Sequence, residues 1–525
     1  MMNTKHISRF WLSVLSMAAV IMFPGCMTTE EQVRGPEMYQ CQVSLFFNGP
    51  DLSASDITFE LAAVNIVAED GTSRGIMVNP LSMNSYDLKS RQIFLGQLSL
   101  PEGKYEKLRL VINGASISKK GKTSNLAIPP EAVELRIDVS LRRNQSTTLF
   151  LNWNADASVQ EDYLFHPVFT VKSQVPQLSS LLIYVTNEDS DNVSVINRQS
   201  GEIAATVLVG KKPRGIATSI QGEHLKVYVA NSGSNSVSVI DPTTNKIENE
   251  IPIRFGMQPE AIAVAGISSD KELIFVANYG SNTVSMVDAT TYHELEKIEV
   301  GRGPVAIATD PPLEDLVGAR YINFDDITVL RSFRESFINV YVVNQNSNSV
   351  SVLRIDTVAK KCVQITHLNV EWRPVALSVD YKRGKVYVAN YDSDKLSVID
   401  ILKTVKGITS DAVSTMNNVG FSITGVIADP DFDRLYLLKE RPGEVVIVRP
   451  FTDNLDTLKT VAPPVMGMIT VGSSPRSFVL DPDGRKLYVV NRGSDNISVI
   501  DKTTKNEEQI IPVGKRPYGI TTFQQ

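Results

Sequence analysis

The side chains best suited to chemistry in this sequence are cations that recur within, or directly after, short loops running from a glycine to a proline. They are Lys211, Lys212, Arg214, Arg254, Arg302, Arg373, Arg476, Lys515 and Arg516, set against Glu260 and Glu371 as the acids of the same loops. Gathered round one axis, such charges would make a positive funnel for an anion: a carboxylated saccharide, a phosphate, an acidic peptide or single-stranded nucleic acid. Tyr518 would add a stacking face. Solvated loops also carry lysines that bind nothing. Asp189, Asp191, Asp392, Asp394 and Asp495 in neighbouring turns would offset part of the field. The ligand-binding set expected from the sequence is Lys211, Lys212, Arg214, Arg302, Arg373, Arg476, Lys515, Arg516 and Tyr518.

Catalysis finds less support. Hydrolysis in such a funnel would call for histidine, arginine or metal-binding carboxylates. His224, His293 and His367 fall instead in connections or outer strands. No G-x-S-x-G elbow joins a strand to a helix, and no nucleophile stands near a base at a recognisable spacing. Asp189-Ser190-Asp191 is too short a carboxylate motif to read as a calcium loop rather than a solvated turn. No catalytic residue, metal or cofactor is expected.

The elements that position these loops repeat. Ile183-Tyr184-Val185-Thr186-Asn187 recurs as Val227-Tyr228-Val229-Ala230-Asn231, Ile274-Phe275-Val276-Ala277-Asn278, Val340-Tyr341-Val342-Val343-Asn344, Val386-Tyr387-Val388-Ala389-Asn390, Leu435-Tyr436-Leu437-Leu438-Lys439 and Leu487-Tyr488-Val489-Val490-Asn491. A polar turn and a strand such as Val237-Ser238-Val239-Ile240-Asp241 follow each. Continuous apolar strands imply sheets covered on both faces, as in radially stacked blades. The repeat resembles the YVTN family of β-propeller repeats, which implies an all-β, seven-bladed propeller over residues 177–525. Each asparagine is expected to serve its own turn through backbone hydrogen bonds or a left-handed conformation. The chain enters the repeats at a second strand and ends on a lone first strand, Pro517 to Phe523, so the two termini of the region should share one blade. Lys439-Glu440-Arg441-Pro442-Gly443 departs from the usual turn and marks the sixth blade as the least regular. Between Pro311 and Asn339, the spacing of Leu330, Phe333 and Phe337 predicts a short amphipathic helix on the face opposite the glycine-to-proline loops. The domain preceding the propeller is expected beneath that same face.

Composition sets outer limits. The chain has 525 residues, 42% apolar and 21% charged, with 52 basic and 58 acidic residues and a formal charge of -6. This is globular composition, and the net acidity weighs against nucleic acid as partner. Cysteines at 26, 41 and 362 do not form a disulfide framework, zinc site or haem attachment. Lys5, His6 and Arg9 precede an apolar run from Phe10 to Phe23, a signal-peptide core too short to span a bilayer. No later apolar run is long enough to span one. Phe23-Pro24-Gly25-Cys26 resembles a bacterial lipoprotein signal, which implies cleavage after residue 25, lipidation of Cys26 and export. Met27 is not the inner-membrane retention aspartate of enterobacterial sorting, so that resemblance implies an outer-membrane anchor followed by a tether over 26–38.

Residues 39–176 read as a β-sandwich. Strands are expected at Cys41 to Phe47, Ile57 to Val67, Ile93 to Leu100, Tyr105 to Ile112, Val133 to Val139, Thr147 to Trp153 and Tyr163 to Val171, with turns at Asn48-Gly49-Pro50, Glu69-Asp70-Gly71 and Pro101-Glu102-Gly103. Leu100-Pro101-Glu102-Gly103-Lys104-Tyr105 resembles an uncharacterised β-domain of bacterial lipoproteins, and Asn152 stands where that family has an aspartate. The function expected is a lipid-anchored, noncatalytic recognition or scaffold module for a protein or anionic ligand, with a lactonase-like hydrolase acting in the channel as the alternative.

Overall fold

The computed structural model describes residues 40–523 apart from 52, 78, 120, 129, 162, 175–180, 221–224, 269–270, 314–321 and 451–462. Cys26, the signal segment and the tether lie outside the described residues.

Among the described residues two large sheets form the N-terminal unit, with a two-stranded ribbon of Val159–Gln160 and Leu164–Phe165 beside them. One has the order Val168–Ser173, Ser146–Asn154, Gln40–Asn48, Gln92–Pro101, with the middle pair parallel. The other is built around Asp56–Ala68 and Gly103–Lys119. Alternation along the strands sends Val43, Leu45, Phe47, Phe59, Leu61, Leu149 and Trp153 into one apolar core between them. The expected strand from Tyr163 is split into Leu164–Phe165 and Val168–Ser173. Pro167 between them has no N–H to give a ladder.

From Leu182 onward the described residues form seven four-stranded antiparallel sheets. Sheet 1 runs Glu202–Leu208, Asn192–Asn197, Leu182–Asn187 and then Pro517–Thr522, so the last strand of the chain is its first-strand member. Sheets 2 to 7 begin at Pro213, Pro259, Pro304, Pro374, Ile423 and Pro475, each strand pairing with the next in sequence. The first strands touch in cyclic order, sheet 2 to 3, 3 to 4 and onward to 7, then 7 to 1 and 1 back to 2. The sixth sheet has four strands like the rest, although its first strand starts at Ile423 rather than at a proline and its second ends on Lys439 where the others have asparagine.

Each interface in this cycle has its own apolar cluster. Tyr228, Val237 and Ile251 of sheet 2 meet Ile262, Ile274 and Val287 of sheet 3, and equivalent clusters fill the other six gaps. The repeat tyrosines are therefore packing residues, all buried. The asparagines sit in strands, and their amides mostly donate to a serine seven residues on, Asn231 to Ser238 and Asn344 to Ser351 among them. The left-handed conformation expected of them belongs to the turn residues Asp191, Asn235, Asn282, Asn348 and Asp495 instead. These turn residues latch the sheets together: Asp191 accepts from the Lys212 backbone, Asn235 from Gln258 and Asp495 from Arg516. Gly210 is glycine because a Cβ there would lie 2.6 Å from the Asn231 amide nitrogen.

The helix spans Phe324–Arg334, capped by Asn323, whose side chain accepts from Asp326 N. Leu330 is fully buried among Tyr381, Ile401 and Ala412, while Phe337 opens the following strand. The N-terminal unit does not sit beneath the ring as expected. It covers the outer edge of sheet 1, where Thr148 Oγ1 accepts from Thr206 N, Ser146 Oγ from Leu208 N and Gln92 Oε1 from Ile203 N. An uncovered edge strand leaves such donors open to foreign pairing, and these side chains close it. Phe46, Phe94 and Phe150 seal the contact against the cluster between sheets 7 and 1.

Candidate ligand site on the ring axis

All seven first strands line a single cavity of about 250 Å³. In register, the residue at the mouth of each strand is Tyr518, Arg214, Glu260, Val305, Val375, Thr424 and Arg476 for sheets 1 to 7. The next position is small throughout: Gly519, Gly215, Ala261, Ala306, Ala376, Gly425 and Ser477. Backbones converge there, so that a Cβ on Gly215 would lie 2.7 Å from Ala261 Cα. Below lie Ile520, Ile216, Ile262, Ile307, Leu377, Val426 and Phe478. The cavity thus has a polar arc on sheets 7, 1, 2 and 3, an apolar arc at Val305 and Val375, and apolar walls.

The polar arc is one connected network. Glu188, which follows the repeat asparagine of sheet 1, accepts from Arg214 Nη2 at 2.7 Å and Nε at 3.1 Å, and from Arg492 Nη2. Arg214 Nη1 donates to Glu260, and Tyr518 OH donates to the other oxygen of Glu260. Arg476 Nη2 donates to Tyr518 OH at 2.7 Å. Arg476, Arg214 and Arg492 all lie over the Tyr518 ring, at 4.6, 5.3 and 5.8 Å from its centroid. The carboxylates are almost sealed, Glu188 at 3% and Glu260 at 4% exposure.

Burial works against the Glu188 charge, but hydrogen bonds from Arg492 and Arg214 outweigh it and hold the carboxyl below its usual range. Burial likewise opposes the Arg214 charge and is outweighed by Glu260, Tyr518 and Glu188, which keep the guanidinium above its ordinary value. The Tyr518 hydroxyl is pushed up to about 12, by burial first, with Arg476 pulling back and Glu260 adding. It is neutral at physiological pH.

The structure therefore divides the expected set. Arg214, Arg476 and Tyr518 come together at the mouth of the cavity. Lys211, Lys212, Arg302, Arg373, Lys515 and Arg516 do not line it, and stand exposed on the loops around it. The reason is local: each of the six precedes the proline that starts a first strand, and the side chain aimed at the axis is the one after it. Arg516 pairs with Asp189 at 3.3 Å and Arg373 with Asp392 at 3.6 Å, as the acidic turns suggested. Glu188 and Arg492 were not expected. Register would have found them, because the residue after the repeat asparagine is Glu188, Ser232, Tyr279, Gln345, Tyr391 or Arg492, and Glu440 after Lys439, at the same end of each sheet.

No protein-family model matches the chain, and no curated protein matches it. Among solved structures, a functionally unknown protein from Desulfotomaculum acetoxidans is similar with 12% identity and a TM-score of 0.50, over 65% of this chain and 98% of the other. Hydrazine synthase of Kuenenia stuttgartiensis is similar with 17% identity and a TM-score of 0.47, over 61% and 92%. A putative 6-phosphogluconolactonase from Bacteroides fragilis shows 16% identity and a TM-score of 0.45, over 66% and 99%. At these identities the likeness concerns the fold alone. With the cyclic sheet order, that fold is a β-propeller.

Proposed function

We propose that the chain is a noncatalytic recognition module, exported and anchored to the outer membrane through lipidated Cys26. In this reading residues 177–525 are a seven-bladed propeller of the YVTN repeat kind, closed by its termini in one blade. Residues 39–176 are a β-sandwich that braces the ring from the side. The partner is a protein carrying an acidic and apolar segment.

The observation that carries this reading is the chemistry of one face. Antiparallel order puts every loop that leads into a first strand at the same end of the ring. Those loops expose Lys211, Lys212, Arg302, Arg373, Lys515 and Arg516, and among them Trp372 at 67%, Phe255 at 62%, Phe421 at 60% and Met257 at 58% exposure. Aromatic residues, methionine and arginine are the types enriched at protein interfaces, and the cations would steer an acidic partner. A hydrolase is less well supported. The serine and threonine hydroxyls of the axial cavity are committed to the main chain, Ser477 Oγ donating to Tyr518 O and Thr424 Oγ1 to Pro475 O, the Tyr518 hydroxyl is committed to Glu260, and among the described residues no histidine lines it.

A random Glu–Tyr copolymer tests the face. Binding is expected at about 0.05 M salt and should weaken steeply by about 0.5 M. Arg302→Glu with Arg373→Glu, and separately Trp372→Ala, should each lower affinity at least tenfold. Binding that ignores both salt and these substitutions would defeat the proposal, and lactone turnover abolished by Glu260→Gln would favour the hydrolase.

A further inference from the structure

We infer that the mouth of the axial cavity is a site for a small monocarboxylate with an apolar body, its carboxylate on the Arg476 guanidinium and its body among the first strands below. This goes beyond the rim reading and uses different residues.

Charge carries the argument. Three guanidiniums, Arg214, Arg476 and Arg492, share the space over one neutral tyrosine ring with only two carboxylates, Glu188 and Glu260. Arg214 and Arg492 hold the carboxylates, and among the described residues Arg476 has no ion-pair partner, only the hydroxyl of Tyr518. A clasp serving stability alone would balance its charges, because an unpaired charge even partly withdrawn from water is costly, and Arg476 is half-buried, with its guanidinium at the cavity mouth. The guanidinium is a planar fork whose free donors match a carboxylate in bidentate geometry.

Shape sets the rest of the ligand. The lining below Arg476 is aliphatic apart from Phe478, and Val305 and Val375 close the mouth on the opposite side. About 250 Å³ exceeds the roughly 150 Å³ that houses benzene in an engineered cavity, and falls short of the ~300 Å³ at which pockets for drug-sized molecules begin. A polymer or nucleotide would leave most of its length outside the cavity. A dianion is disfavoured, because its second charge would face Glu188 and Glu260 once the single excess cation is met.

Calorimetric titration of the full-length protein with phenylacetate, against neutral phenylacetamide and dianionic phenyl phosphate, decides the matter. Phenylacetate is expected to saturate one site per chain, with the other two at least tenfold weaker. Arg476→Gln should weaken phenylacetate at least tenfold and leave phenylacetamide unchanged, Arg476→Lys should give an intermediate loss, and Glu260→Gln should tighten binding. Equal affinity for phenylacetamide, absence of saturation at millimolar phenylacetate, or indifference to Arg476→Gln in a folded variant would each overturn the inference. If Arg476→Gln fails to fold, the comparison of the three probes on the unmutated protein and the Glu260→Gln shift decide alone. Arg302→Glu with Arg373→Glu should leave phenylacetate binding unchanged, so failure of the rim reading and failure of this one read out separately.

Discussion

Replacing Glu188 by glutamine tests the network at its centre. The carboxylate takes three hydrogen bonds from two arginines on different sheets, Arg214 on sheet 2 and Arg492 on sheet 7, and joins both to sheet 1. Breaking a buried pair from one side costs about 3–5 kcal/mol, and a charge-assisted hydrogen bond contributes about 1.5–3. Glutamine keeps one acceptor oxygen, and both arginine side chains remain 26% exposed, so water recovers part of the loss. The expected destabilisation is about 2–3 kcal/mol, a fall in Tm of roughly 4–6 °C at the low end of the shift per kcal/mol for large domains. The sign with pH follows from the depressed carboxyl: its contribution is present above the unfolded pKa and is lost as the pH falls through the folded one. At neutral pH the whole effect is therefore visible. Differential scanning calorimetry of Glu188→Gln beside Glu440→Gln is the assay. Glu440 occupies the same register on sheet 6 and, among the described residues, its side chain accepts only from Tyr391 OH, so it should cost about 1 kcal/mol. Equal or smaller loss for Glu188→Gln would refute the reasoning, as would weaker phenylacetate binding, since the variant raises the excess positive charge.

Three further outcomes follow from buried polar groups elsewhere. Asp310, enclosed by Asn339, Tyr341 and Tyr381 with Arg334 nearby, is pushed up to about 6 by burial, Arg334 opposing. Its stabilising contribution is full below the unfolded value near 3.8 and is lost as pH rises through 6, so Asp310→Asn should flatten that decline, worth up to about 3 kcal/mol, in urea titrations between pH 4 and 7. Lys502 and Asp429 form an ion pair at 2.8 Å between sheets 7 and 6, both nearly sealed. Lys502→Met should cost about 3–5 kcal/mol in thermal unfolding, and Lys502→Met with Asp429→Asn should recover most of it. Ser146→Ala with Thr148→Val removes the acceptors that cover Leu208 N and Thr206 N, and hydrogen exchange at those two amides should accelerate at least tenfold.

Much of the ring was legible because its signal is repeated. Tyr184, Tyr228, Phe275, Tyr341, Tyr387, Tyr436 and Tyr488 fall at equivalent places, and the last strand completes sheet 1 as its register required. The N-terminal unit was legible only where strands are long and apolar. Ser73–Met77, Leu81–Asn84 and Lys122–Leu126 escaped notice because they are short and their pattern is weak. The docking of that unit was misjudged because it depends on hydroxyls at Ser146 and Thr148 meeting backbone donors of a distant strand, which no local pattern encodes. The site was half legible. Cations on loops were visible, but a one-residue step past the proline separates Lys212 on the rim from Arg214 at the mouth.

That step explains why the site is built where it is. In a ring of equivalent strands, symmetry by itself gives every sheet the same side chain at the axis, so departures from the repeat carry the specific information. The charged ones concentrate in one sector, with Glu440 on sheet 6 standing apart: Arg476 and Arg492 on sheet 7, Glu188 beside Tyr518 on sheet 1, Arg214 on sheet 2 and Glu260 on sheet 3. Sheet 1 is also where the last strand joins the first and where the N-terminal unit covers the edge. Tyr518 reaches its arginines only once the C-terminal strand has paired, while Glu188 arrives on the strand it pairs with. The network therefore exists only in the closed ring, and the sector braced from three sides holds its charges at fixed separations before any ligand arrives, which is the condition for selecting one anion by geometry.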